Sequence, residues 1–317
     1  MSVPSQGRAL SPLLQRGADA LRGGFVLEGG TVFDGTGAPG RVVDVFVRGG
    51  RVVAVGTGAG EPAGTPRLDC RGLYVAPGFI DIHSHSDFTL LRDPRASSSV
   101  FQGVTLELVG NCGYGCFPIG DGGAAGESIY GFDTSPPIDW RSAAEYFAAL
   151  EARAPAVNVA SLTPNAQLRR SALASVGERA TPVQVRALVR ALEVSLDDGS
   201  FGLSTGLEYA SEAMVTEEET VELLRPVVEI GALYATHTRD RNGDGTAGVA
   251  EALRVAGRAG ARLQISHLLP RGGDGAGRAC LELVEEATAR GARVAFDQHT
   301  RLFGFTVLAS MLPAWAF

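Results

Sequence analysis

Between residues 78 and 299, short apolar runs rich in β-branched residues return seven times, and helical patterns fill much of the sequence between them. The runs are GFIDIHSH (78–85), VTLELVGN (104–111), AVNVASL (156–162), SFGLSTG (200–206), ALYATH (232–237), RLQISH (262–267) and RVAFDQH (293–299). Repeated βα units of this kind predict a parallel sheet covered by helices. The helices carry their own punctuation. Thr181-Pro182 predicts a helix start, with Val185, Leu188, Val189, Leu192 and Leu196 on one face and Gly199 past the end. Thr216 and Glu219 have the spacing of a capping box for the next helix, which Pro226 is expected to kink. Seven units, one short of eight, point to an α/β fold of the (β/α)8 TIM-barrel type rather than a doubly wound sheet. In such barrels chemistry sits at the C-terminal ends of the strands. Only 17 residues follow Thr300, so the barrel is expected to be incomplete at its C-terminus, with strand eight missing.

Ahead of the barrel, VVDVFVRGGRVVAV (42–55) alternates around Gly49-Gly50, which predicts a hairpin. The expected organisation is an N-terminal extension (1–24), a small β module (25–75) and a barrel (76–317). The extension has arginines at 8, 16 and 22 but no apolar core of a secretory signal. Residues 113–137, rich in Gly and Pro, form a long loop after the second strand, a position from which such loops cover active sites.

Charge narrows the partners. A net charge of −7 gives no electrostatic footprint for nucleic acid or an anionic membrane surface, so neither is expected and a small molecule is. All 28 basic residues are arginine. The absence of lysine excludes a lysine-ended phosphate loop, a Schiff-base lysine and a lysine carbamate bridging two metals. Four cysteines are too few for a disulfide scaffold of this length, which predicts a reducing, cytoplasmic setting. The apolar stretch from Leu302 to Phe317 is under 18 residues and contains Pro313, so no membrane span is expected there.

His83 and His85 are one residue apart at the end of the first predicted strand, where alternate side chains share a side. Such a pair is half a metal site, or two histidines satisfied by hydrogen bonds. Cys112 ends strand two, His237 strand five, His267 strand six and His299 strand seven, all on one rim of the barrel. Four of these histidines (83, 85, 237 and 267) with the cysteine can supply one or two divalent ions, and imidazole with thiolate favours zinc over magnesium or calcium. Cys112 has a competing reading as a small buried hydrophobe; beside zinc it would be deprotonated and could bridge two ions. Cys70, Cys116 and Cys280 are read as structural.

With these residues in place, the chain resembles the N-acyl-D-amino-acid deacylase (D-aminoacylase) group of the metal-dependent amidohydrolase superfamily. GGTVFDGTGAP, APGFIDIHSHSD, QGVTLELVGNCG, FGLSTGLEYA, YATHTRDR and LQISHL carry the resemblance over about residues 25–317. It implies that His83, His85, Cys112, His237 and His267 are metal ligands. It also implies a zinc-dependent amidohydrolase that cleaves a non-peptide C–N amide bond, deacylating a small N-acylated amino acid. The family's ligand and proton shuttle, an aspartate ending strand eight, would lie beyond the chain end, which leaves the general base unassigned. Three departures touch the substrate side. Thr163-Pro164-Asn165 replaces a Gly-His pair, Leu269 a lysine, and Asp297-Gln298-His299-Thr300-Arg301 the sequence Asp-Gln-Tyr-Pro-Tyr. Asp297 is read as a carboxylate orienting His267 or His299, or else as a substitute base. Arg239 and His299 are candidates for substrate binding, Arg239 through a substrate carboxylate or else as an inter-loop ion pair.

Two other readings compete. GLSTG (202–206) matches the G-x-S-x-G pattern of serine hydrolases, but LEYASEAMV intervenes before the next helix, so Ser204 is read as barrel lining. An incomplete barrel could also be an inactive remnant that binds metal without turnover. The glycine patterns GTGAPG (35–40) and GDGTAG (243–248) are read as turns rather than dinucleotide sites.

Overall fold

The computed structural model describes residues 23–299, without residues 59, 121–128, 133–134, 174–177, 242, 244 and 274. Two compact units result, one ending at Gly78 and the other beginning at Phe79. The first holds β1 (Phe25–Val32), β2 (Arg41–Arg48), β3 (Arg51–Val55), β4 (Arg67–Asp69) and β5 (Tyr74–Val75). Its sheet runs β3-β2-β1-β4, with β5 also paired to β1. The predicted hairpin joins β2 and β3, and Gly49 and Gly50 both take positive φ (58° and 73°), as the tightest hairpin turns require. Arg67 gathers Glu28 (2.9 Å), Asp44 (2.7 Å) and Glu61, pinning β4 to β1 and β2.

The second unit carries all seven predicted strands, each shorter than its apolar run. They are β6 (Phe79–Asp81), β7 (Val104–Val109), a third strand split into β8 (Asn158–Ser161) and β9 (Thr163–Pro164), then β10 (Gly202–Gly206), β11 (Leu233–His237), β12 (Arg262–Ile265) and β13 (Val294–Phe296). All neighbours are parallel, in the orders β6-β7-β8 and β9-β10-β11-β12-β13, so spatial order follows sequence order as in a (β/α)8 barrel. The split at Leu162 is where one sheet hands over to the other. β6 and β13 end the series among the described residues, with Phe79 (65%), Ile80 (62%) and Phe296 (39%) exposed. The expected loss of strand eight falls on residues from 300 onward, outside the described set.

Helices α1 (Thr89–Arg92), α2 (Ser97–Val100), α3 (Ala143–Arg153), α4 (Asn165–Ala172), α5 (Pro182–Asp197), α6 (Glu217–Glu229), α7 (Thr246–Ala259) and α8 (Ala276–Ala289) connect or cover the strands. In α5 the predicted start is confirmed. Thr181 accepts from the Gln184 N–H, and the Gln184 side chain accepts in return from the Thr181 N–H (2.8 Å). Leu188, Leu192 and Leu196 are buried, each contributing roughly 1.5–3 kcal/mol. In α6 only half of the predicted box forms: Thr216 accepts from the Glu219 N–H (3.1 Å), but the Glu219 carboxylate turns to buried Arg169 instead. The helix continues through Pro226 to Glu229.

These helices pack on β9–β13 through a core that includes Leu203, Leu223, Tyr234, Val249 and Ile265. A second cluster, with Phe88, Phe117, Trp140 and Tyr146, lies around α1 and α3. None of the four cysteines forms a disulfide. Among the described residues no helix is long and apolar enough to cross a membrane.

Candidate metal centre

The strands stop where the donor residues begin. β6 ends at Asp81, whose carboxylate accepts the His83 N–H (3.1 Å), and the Ser84 N–H donates to the Leu108 carbonyl (3.0 Å). His83 and His85 therefore leave the ladder but stay tied to the end of β7, with ring centroids 5.4 Å apart.

Cys112 follows β7 in a left-handed conformation (φ 56°), between Gly110 (φ 74°) and Gly113 (φ 76°). A side chain held there costs about 1–2 kcal/mol, so the surroundings must fix it. Ser204 on β10 does so from one side, donating to the Gly110 carbonyl and accepting the Gly113 N–H (3.1 Å). Asp87 accepts the Gly110 N–H (2.7 Å). A Cβ at Gly206 would meet the Cys112 carbonyl oxygen at 2.1 Å, so the second glycine of GLSTG admits the cysteine's main chain. The pattern that imitates a nucleophile elbow is thus a cradle for Cys112, and the Ser204 hydroxyl is committed on both sides.

His267 also has positive φ (32°), and its N–H donates to the Asp297 carboxylate (2.7 Å). From these positions Cys112 Sγ lies 3.3 Å from His83 Nε2 and 3.4 Å from His267 Nε2. Ligand atoms of His83, Cys112 and His267 all fall within 4.8 Å of one another. His85 and His237 flank this cluster. The ring contacts close on themselves: His85–Tyr130 (4.5 Å), Tyr130–Tyr114 (5.1 Å), Tyr114–Tyr209 (5.0 Å), Tyr209–His237 (4.5 Å), His237–His267 (4.6 Å), His267–His83 (4.9 Å) and back to His85.

Two carboxylates orient the rings. Asp297 takes three donors: His83 Nδ1 (3.0 Å), Gln264 Nε2 (2.9 Å) and the His267 main chain. A proton on Nδ1 of His83 leaves its Nε2 to face the sulfur. The orienting role expected of Asp297 thus reaches His83 through its ring and His267 through its backbone. Glu208 meets His237 Nε2 at 3.0 Å, while buried Nδ1 of His237 and of His267 have no hydrogen-bond partner among the described residues.

The charges follow from burial and neighbours. Burial works against a charged His83, but Cys112 and Asp297 outweigh it and raise its pKa to about 10. Burial also works against the Asp297 carboxylate, yet its bond to His83 holds its pKa below the usual range. His237 is pushed well below the usual imidazole range by burial and Arg241, and His267 is pushed down by burial and His237.

Arg239 does not face this cluster. Its guanidinium binds Glu251 (3.1 Å) and the carbonyls of Leu207 (3.2 Å), Ala213 (2.6 Å) and Val215. It forms an ion pair with α7 rather than a free substrate contact, because the β11 turn aims it back at the 207–215 segment. His299 is half-buried two residues past Asp297, apart from the three-donor cluster. Asn165 is buried and donates to Glu212 (2.7 Å). Sequence reasoning missed Glu208, Arg241 and the three tyrosines, although Glu208-Tyr209 and Tyr114 stand within or beside quoted motifs.

Comparison with known proteins finds relatives over most of the chain. The profile of the amidohydrolase family matches residues 68–301. D-aminoacylase from Alcaligenes xylosoxydans xylosoxydans is 35% identical over 90% of this chain, and N-acyl-D-glutamate deacylase from the same organism is 37% identical over 86%. A solved N-acyl-D-glutamate deacylase from Bordetella bronchiseptica, in complex with zinc and a phosphonate inhibitor, superposes with a TM-score of 0.79 at 33% identity, covering 87% of this chain and 58% of that one. The chain spans 58% and 56% of the length of the two Alcaligenes relatives. On its profile match, its barrel and its relatives, the chain belongs to the amidohydrolase family.

Proposed function

We propose that this protein is a metal-dependent amide hydrolase, with zinc as its ion, that deacylates small N-acylated amino acids. The observation that carries the reading is the convergence of Cys112 Sγ with the Nε2 atoms of His83 and His267. Zinc bonds of about 2.3 Å to sulfur and 2.0 Å to nitrogen separate tetrahedral S and N ligands by about 3.5 Å, close to these spacings. The Cys112 and Asp297 charges that draw a proton to His83 would equally favour a metal ion in that proton's place, and the depressed pKa values of His237 and His267 supply the neutral imidazoles that metal binding needs. His83, Cys112 and His267 would hold an ion, with His85 and the unpartnered Nδ1 of His237 beside it for the same ion or a second. When bound, zinc supplies Lewis acidity towards a carbonyl and a lowered pKa for water.

The rest falls to the protein's own side chains. Asp297 and Glu208 fix the faces of His83 and His237, while the tyrosine arc from His85 to His237 walls the centre against solvent. Asp297, engaged by three donors, is used for orientation rather than for taking a proton from water. The names of the relatives support an N-acyl-amino acid as substrate, since all three are deacylases of that class.

The test is metal analysis of the purified chain together with turnover of N-acetyl-D-amino acids. At least one zinc per chain and activity lost to a chelator, then restored by zinc, are expected. Zinc without turnover would favour the inactive-remnant reading, and absence of both would remove the proposal.

The orienting carboxylate gives a separate expectation. Asp297→Asn should weaken zinc binding by roughly 10–100-fold, because an amide cannot hold His83 with its Nε2 facing the sulfur as firmly. Competition against a chromophoric chelator reads this; unchanged affinity in a folded variant would contradict the role given to Asp297.

A further inference from the structure

Arg241 lies in the turn after β11, four residues beyond His237. Its side chain is only 9% exposed. The main chain is fixed on both sides: its N–H donates to Glu208 Oε1 (3.1 Å), and its carbonyl accepts the Arg271 N–H (2.9 Å). The guanidinium is poorly matched. It carries five N–H donors, yet among the described residues only NH1 finds partners, His237 Nε2 at 3.3 Å and Glu208 Oε2 at 4.0 Å. Both of those partners already engage each other at 3.0 Å.

The other arginines near β11 and the barrel core are treated differently. Arg239 is held by Glu251 and three carbonyls, and Arg169 by buried Glu219. A buried cation whose nearest carboxylate stands 4.0 Å away and is shared with His237 is only partly compensated, and a further anion can complete it. The position next to His237 puts this unfilled donor set at the candidate centre rather than on the outer surface.

We propose that the Arg241 guanidinium binds the carboxylate of the substrate, so that the centre selects N-acylated amino acids over neutral amides of the same shape. This rests on the functional reading above and assigns to Arg241 the contact that sequence reasoning placed on Arg239. A planar fork suits a carboxylate in bidentate fashion, and Glu208 keeps the turn in place while NH2 and Nε have no partner among the described residues.

The experiment compares N-acetyl-D-methionine with its carboxamide on the zinc-loaded full chain, in the wild type, Arg241→Met and Arg241→Lys. The readouts are kcat and KM for turnover and calorimetric Kd for binding. The wild type is expected to prefer the acid. In Arg241→Met that preference should fall at least about 30-fold, mainly through KM, with partial recovery in Arg241→Lys, as expected when a charged hydrogen-bonding partner is lost and then partly replaced. Loss of both compounds in equal proportion, or an unchanged preference, would overturn the assignment while leaving the amidohydrolase reading intact. Should Arg241→Met fail to fold, wild-type indifference between acid and carboxamide would overturn it, as would an unchanged preference in Arg241→Lys, and a wild-type preference reduced but not abolished in Arg241→Lys would support it. If the zinc-loaded wild type turns over neither compound, the substrate reading fails. Calorimetry then decides the anion site alone: acid binding that Arg241→Met abolishes supports it, and equal binding of acid and carboxamide by the wild type overturns it.

Discussion

Cys112→Ala is expected to reduce zinc affinity by more than the roughly 10–100-fold typical of losing an outer-shell partner, and to abolish metal-dependent turnover with it. The sulfur is the one donor that touches two of the rings, 3.3 Å from His83 and 3.4 Å from His267. As the only sulfur donor of the set it also biases the site towards zinc. Alanine is the informative replacement because it keeps the Cβ and so keeps the left-handed strain at φ 56°. The cradle formed by Ser204, Asp87 and Gly206 is untouched, and a loss of affinity therefore reports the sulfur and not the backbone. The expected signature is twofold. Competition titration should show the weakened zinc complex, and the zinc-dependent rise in melting temperature that linkage gives the wild type should vanish in the variant. A variant that binds zinc with wild-type affinity would remove Cys112 from the centre and, with it, the main support for the proposed chemistry.

What the sequence reveals of this centre depends on the range of the interaction that fixes each part. The βα rhythm is local, and all seven strands follow it. Their early ends are not local: His83, Cys112 and His267 leave the ladders because Leu108, Ser204 and Asp297 take their neighbouring backbone groups. The Thr181 box is complete because both its members lie within one turn. The Thr216 box is half made because Glu219 has a stronger partner 50 residues away, in Arg169. Arg239 and Arg241 are two positions apart in one turn, and nothing in their spacing says which faces the histidines; the carbonyls of 207–215 settle it by capturing Arg239. The same holds for Asp297. Its carboxylate is visible as a candidate at the end of a strand, but its bond to His83 spans 214 positions and belongs to the closed geometry of the barrel. Tyr114, Tyr130 and Tyr209 have no periodicity to betray them, because each sits in a loop whose course is set by its ends.

Glu219→Ala is expected to destabilise the fold by about 3–5 kcal/mol, the range for stranding one member of a buried ion pair. Arg169 and Glu219 have 0% and 3% side-chain exposure, and they tie α4 to the first turn of α6. Arg169 also donates to the Glu178 carbonyl, so the guanidinium is built into the core and cannot swing out to water when its partner is removed. Glu219 itself is raised in pKa: burial is the larger influence, and the opposing attraction of Arg169 does not cancel it. The pair thus recovers only part of what desolvation costs, and a matched apolar replacement should be far milder than either single change. Arg169→Met with Glu219→Leu is accordingly expected to lie well above Glu219→Ala in stability. At about 2–4 °C per kcal/mol for a unit of this size, the single variant should melt on the order of 10 °C lower, readable by calorimetry on the metal-free chain. The consequence reaches the candidate centre through α4, which begins at Asn165, whose amide binds Glu212 while Glu212 accepts the Gly206 N–H (3.0 Å) beside the Cys112 carbonyl. Glu219→Ala should therefore weaken zinc binding as well as stability, and the double variant should restore both. Equal melting temperatures for the wild type and Glu219→Ala would show that water or a rearranged neighbour neutralises Arg169, and that the α4–α6 contact does not depend on the pair.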